Sequence, residues 1–195
     1  HQLARQVMQT TTLILLGTIH PDTIAAGGLA VRISVSTNIL SAVMLTVGIS
    51  ISMAQGAGDH KRISSLYWNG LYLAIALSLL SFIWFSNAHY LLTAIDIPPD
   101  VVADTQRCLD IMRWAAPAQI ITLGLMRGVL PAFGLARILY ALTPLTFILY
   151  VGASLGLARG IFGLPPMGWL AVPLALTIVN WLSALVMLAM VHGTD

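Results

Sequence analysis

The sequence predicts an all-α fold, a polytopic membrane bundle of about six transmembrane helices, and three observations carry that expectation. Hydrophobic residues make up 58% of the chain and charged residues only 8%, whereas an ordinary soluble domain carries roughly 25% charge to cover its surface. The mean hydropathy is +0.89, so the outside can be as apolar as the core only if lipid solvates it. The apolar residues also come in runs of about 20, the length a helix needs to cross a hydrocarbon core about 30 Å thick. Stretches such as 71–85 lack the alternation of a transmembrane β-strand.

Taken in order, the first expected helix runs from about residue 3 to 19 and stops at His20, Pro21 and Asp22. A second covers about 24–53 and closes in the polar turn 55–62, which combines glycines with Asp59, Lys61 and Arg62. The third covers about 64–85. A fourth, about 109–133, follows the Asp- and Pro-rich stretch 96–107, read as the longest polar connection. The fifth spans about 138–158, and the sixth, about 169–191, follows a Gly- and Pro-rich turn at 160–166. Residues 1–195 are therefore read as a single membrane domain. Because the chain starts at His1 rather than Met, it is expected to be part of something longer.

Basic residues in short loops mark the cytoplasmic side. Lys61 and Arg62 place the second turn there, alternation puts Arg137 with them, and Asp96, Asp100 and Asp104 fall outside. Arg159 is the exception.

Composition also excludes functions. A formal charge of +2, scattered along the chain, gives no basic footprint for nucleic acid. Cys108 is the single cysteine, so no disulfide or thiolate metal centre can form within the chain. His20, His60, His89 and His192 fall at segment ends, which leaves neither a metal cluster nor a nucleophile and base pair. No enzyme site and no cofactor are expected. All seven acids are Asp, and Asp22, Asp59, Asp96, Asp100, Asp104, Asp110 and Asp195 lie in loops or at segment ends. A carboxylate at a helix centre, the usual proton or sodium carrier, is not found.

Polar residues inside the apolar runs are the remaining candidates. Ser34, Asn38, Ser41, Gly48 and Ser52 recur at helical spacing on one side of the second segment. Such a stripe serves either close helix packing or the wall of a water-filled cavity. Gln6, Gln9 and Thr10 to Thr12 in the first segment, with Thr177 and Asn180 in the last, could face the same space. Arg32 and Arg127 are read as basic anchors reaching for the interface, with substrate ligands as the alternative, and Pro117, Pro131, Pro144 and Pro173 as kinks, either packing features or hinges.

Three motifs in order carry a family resemblance. They are Met53-Ala54-Gln55-Gly56-Ala57-Gly58-Asp59, then Leu125-Met126-Arg127-Gly128 followed by Gly134, then Gly160-Ile161-Phe162-Gly163-Leu164-Pro165 with Gly168. Across nearly its whole length the chain resembles the first six-helix lobe of the multidrug and toxic compound extrusion (MATE) transporters of the bacterial multidrug efflux type. The resemblance implies a bacterial inner (plasma) membrane protein with two six-helix lobes forming a V, of which this chain supplies one and lacks the other. It implies export of cationic or amphipathic small molecules in exchange for protons or sodium, with the lobes rocking about a central cavity. The Asp common in the family's first helix corresponds to Thr12 here, and polar residues four apart in its fifth helix correspond to Tyr150 and Ser154. Thr12, Asn38, Tyr150, Ser154, Thr177 and Asn180 are then the expected cavity residues. A lipid-linked precursor flippase would call for a more cationic cavity, and a membrane scaffold for none.

Overall fold

The structure, a computed structural model, describes residues 10–14, 17, 24–160 and 166–192, and among these there is no strand. Residues 10–14 are helical; the rest of the expected first helix lies outside the described residues.

Helix α1, Ile24–Gly56, fills the expected second segment. It ends where Gly58 takes φ +70°, a left-handed conformation that costs a Cβ-bearing residue but not glycine. This reversal lets Asp59 N–H bond back to Ala54 O at 3.1 Å. Helix α2, His60–Ser86, begins four residues before the expected 64 because Asp59 caps it, its carboxylate accepting from Arg62 N at 3.0 Å. A short α3, Ala88–Ala94, follows.

The stretch 96–107 is not a loop. Helix α4 runs Pro99–Met112, with proline at its first turn and Asp100 favouring its N-terminus. Its buried residues are Thr105, Cys108, Leu109 and Met112, the i, i+3, i+4, i+7 stripe of an amphipathic helix. The expected continuous helix 109–133 is also corrected. The chain turns at Arg113 and Trp114 and restarts as α5, Ala115–Gln119. It widens into a π-helical segment, Ile120–Met126, and closes as α6, Arg127–Ala132. Pro117 and Pro131 each lack the N–H that an α-helical bond needs. The corner is held by Arg113, which pairs with Asp110 at 3.2 Å and donates to Ser86 Oγ at 3.3 Å. Trp181 Nε1 donates to Trp114 O at 2.8 Å on its other side.

Gly134, at φ +74°, turns the chain into α7, Ala136–Arg159. A 3-10 turn, Gly168–Leu170, then leads into α8, Ala171–His192. Four helices among the described residues are long and apolar enough to cross a membrane: α1, α2, the 139–159 part of α7, and the run 168–192 ending in α8. Of the six expected, the first lies mostly outside the described residues. The fourth is the broken run 115–132, about 27 Å long at the α-helical rise. Large apolar side chains face outward, among them Met53 (72% exposed) and Ile39 and Ile148 (66% each), as suits a multi-pass membrane protein whose solvent is lipid.

The helices approach through glycine. A Cβ built on Gly48 of α1 would overlap Gly128 Cα of α6, and the reverse overlap is as severe. At Gly124 a Cβ would meet Met44 Cβ at 2.6 Å, and at Gly70 it would meet Val47 Cγ1 at 2.8 Å. In lipid, where apolar residues gain nothing by leaving the solvent, such close backbone contact is a main source of association. Around this seam lies a core of Met44, Ile51, Ile63, Leu125, Leu130 and Leu139 at the end bearing Lys61, Arg62 and Arg137. A second core, Ala30, Phe85, Cys108 and Leu109, lies towards the Asp-rich end.

Candidate functional site

Three helical stripes converge on one cavity of about 440 Å³. The first comes from α5 and the π segment (Gln119, Thr122, Leu123), with Arg127 following. From α7 come Leu139, Leu142, Thr143, Thr146 and Phe147, and from α8 Leu176, Val179, Asn180, Ser183 and Met187. Each set repeats at three and four residues, so each lies on one helix face. Helix α1 adds Val31, Ser34 and Asn38, α4 adds Met112, and Thr12 also contributes.

Apolar side chains thus form much of the wall, with amides and hydroxyls set among them, the composition expected of a small-molecule site. The hydroxyls are oriented by their own helices. Ser34 Oγ donates to Val31 O at 2.7 Å, Thr122 Oγ1 to Ala118 O at 2.8 Å and Thr143 Oγ1 to Leu139 O at 2.8 Å. Thr146 Oγ1 donates to Thr143 O at 2.9 Å and Ser183 Oγ to Val179 O at 2.8 Å. Asn180 Nδ2 is buried and makes no hydrogen bond among the described residues. No carboxylate lines the cavity among the described residues; the one charged group there is Arg127.

Of the six residues expected from the sequence, Thr12, Asn38 and Asn180 line this cavity. The other three stand behind the wall. Tyr150 is fully buried, its hydroxyl 2.7 Å from Thr12 Oγ1. Ser154 Oγ donates to Tyr150 O at 2.7 Å, and Thr177 Oγ1 to Pro173 O at 2.9 Å. The stripe on α1 divides as well. Ser34 and Asn38 reach the cavity, Ser41 bonds Thr37 O at 2.8 Å, and Gly48 belongs to the glycine seam. Arg32 is exposed, as an anchor would be, while Arg127 is half-buried and lines the cavity instead. Gln6 and Gln9 lie outside the described residues.

Gln119, Thr122, Thr143, Thr146 and Ser183 were not expected. The signal for them was available, since Thr143 with Thr146 and Asn180 with Ser183 recur at helical spacing with their apolar neighbours. What the sequence does not show is that these faces meet across a gap rather than against each other.

Among the described residues there is no cluster of three or more His, Cys or acidic groups able to hold a metal. The arrangement can bind an amphipathic molecule in an apolar pocket and orient it by hydrogen bonds.

Comparison with known proteins agrees with this architecture. The MatE family model matches residues 1–155. A probable multidrug resistance protein NorM of Burkholderia pseudomallei (strain K96243) is 36% identical over 193 residues, which cover 98% of this chain and 41% of that protein. The multidrug resistance protein NorM of Burkholderia vietnamiensis is 34% identical over 193 residues, covering 98% and 42%. The chain therefore spans about two fifths of the length of these curated relatives. A crystal structure of MATE in the bent conformation superimposes with a TM-score of 0.76 at 19% identity, over 95% of this chain and 41% of that one.

Proposed function

Because this chain belongs to the MatE family, we propose that it forms one lobe of a secondary active exporter of amphipathic drugs or metabolites in a bacterial inner membrane. A second lobe, in the part of the protein beyond this chain, completes the path. The observation that carries this reading is the cavity between α1, α5, α7 and α8, apolar in its walls and set with amides and hydroxyls. The names of its NorM relatives, multidrug resistance proteins, support drugs as the cargo, and efflux as the direction follows from the family resemblance.

Exchange against protons or sodium follows from the family resemblance. Thr12 stands where that resemblance expects an Asp, and it faces the Tyr150 hydroxyl rather than carrying a charge. The coupling carboxylates of the whole protein are accordingly assigned to positions other than the described lining of this cavity. A flippase for lipid-linked precursors would need a strongly cationic cavity, and Arg127 alone does not make one.

The test is energised efflux of a fluorescent cationic dye from cells carrying the full-length parent gene. The parent is compared with an Asn38→Leu, Asn180→Leu double variant at matched membrane abundance. Removing two hydrogen-bonding amides, each worth about 1 kcal/mol, is expected to reduce efflux at low dye by about tenfold or more. A parent that is present and folded in the membrane yet moves no dye would overturn the reading for that substrate class.

A further inference from the structure

The lining hydroxyls restrict what this cavity can recognise. A Ser or Thr hydroxyl has a single proton, and at Ser34, Thr122, Thr143, Thr146 and Ser183 that proton is already donated to a backbone carbonyl of the same helix, at 2.7 to 2.9 Å. Any hydrogen bond these groups make to a ligand must then be one they accept. They stand on four different helical stretches (α1, the π segment, α7 and α8) and so surround the space with oxygen lone pairs. The amides of Asn38, Gln119 and Asn180 donate as well as accept and Arg127 only donates, but donors in the wall do not distinguish two cations; the acceptors do, and no carboxylate lies among the described lining residues to take over that role.

We infer that the cavity selects its ligands by the hydrogen bonds they donate, favouring amphipaths that carry N–H or O–H groups over cations of equal size and charge that carry none. This rests on the efflux reading for its biological meaning, but the selectivity is a property of the cavity and can be measured as binding. An ammonium with three N–H groups can satisfy hydroxyls on several walls at once. A quaternary ammonium offers only methyl groups to the same oxygens and leaves them unpaired on burial.

The probes are a dansyl amide bearing a terminal primary ammonium and its trimethylammonium counterpart, equal in charge and fluorophore. Binding is followed by fluorescence anisotropy on the purified full-length parent protein in lipid nanodiscs. The primary ammonium is expected to bind about tenfold more tightly, the worth of one to two net hydrogen bonds. A Thr122→Val, Thr143→Val double variant keeps the side-chain shape and removes two acceptors. It should reduce the preference to about twofold by weakening the primary ammonium far more than the quaternary probe. The Thr122→Ser, Thr143→Ser variant, which retains hydroxyls, should restore the preference and so excludes misfolding as the cause. Equal binding of both probes by the parent, no binding of either, or a preference that survives the valine variant would overturn the inference. Efflux of the same probes separates the two claims: a parent that shows the binding preference but moves neither probe refutes transport alone, and one that moves both without preference refutes selection by donors alone.

Discussion

Two buried side chains show how context sets the role of a polar residue. Tyr150 is the largest fully buried side chain among the described residues, and its hydroxyl meets Thr12 across 138 residues of sequence. Their pairing ties the first described helical stretch to α7. Tyr150→Phe should therefore lower stability by about 1 kcal/mol, seen as a reduced melting temperature of the full-length protein in detergent, with dye efflux largely retained because the ring does not line the cavity. Cys108, on the polar helix α4, is 3% exposed and lies 3.8 Å from the sulfur of Met112. Burial pushes its thiol up to about 12, so the reactive thiolate is scarce at pH 8. Maleimide should label this cysteine slowly in the folded protein at pH 8 and rapidly after denaturation; fast labelling of the folded protein would contradict the burial. Residues such as Asn38 and Asn180 were legible as cavity candidates because a carboxamide in an apolar run is costly unless it has a partner. Tyr150, Ser154 and Thr177 satisfy the same condition through partners within the protein, and sequence alone does not separate the two cases.

At the level of helices, spacing is set where glycines of different elements meet. Gly48 and Gly128 have no room for a methyl group on either side, since each would strike the other's backbone. Gly128→Ala should separate α1 from α6 and cost about 1–3 kcal/mol, the usual penalty for overpacking, measured as earlier thermal unfolding. Substitution at Gly56, where a Cβ would meet nothing within 4 Å, is the control and should have little effect. The ends of α1, α7 and α8 fell close to their expected positions because apolar length defines them. Helix α4 was missed because its Asp and Pro content outweighed the periodicity of Thr105, Cys108, Leu109 and Met112, which was present all along. The break at Arg113 was not legible either. Its cause is tertiary: the ion pair with Asp110, the bond to Ser86 and the indole bond from Trp181 fix a corner that apolar composition alone would read as continuous helix.

For the whole molecule, fold class was the most legible property, because the shortage of charge leaves no way to build a water-facing surface. Orientation follows from the few charges that remain. With Lys61, Arg62 and Arg137 at one end of the bundle and Asp96, Asp100 and Asp104 at the other, the basic end is expected in the cytoplasm. In full-length protein carrying Cys108→Ser as background, Asp100→Cys should react with a membrane-impermeant thiol reagent on intact cells. Lys61→Cys should react only after permeabilisation; the opposite pattern would invert the topology. The glycine contacts also bear on how such a protein diversifies. Gly124 and Gly128 alternate along one stretch of chain with Thr122, Leu123 and Arg127, so the residues that hold the helices together and those that line the cavity occupy different faces of the same turns. Substitution at the lining positions can therefore reshape the cavity while the glycine contacts that set the helix spacing stay as they are.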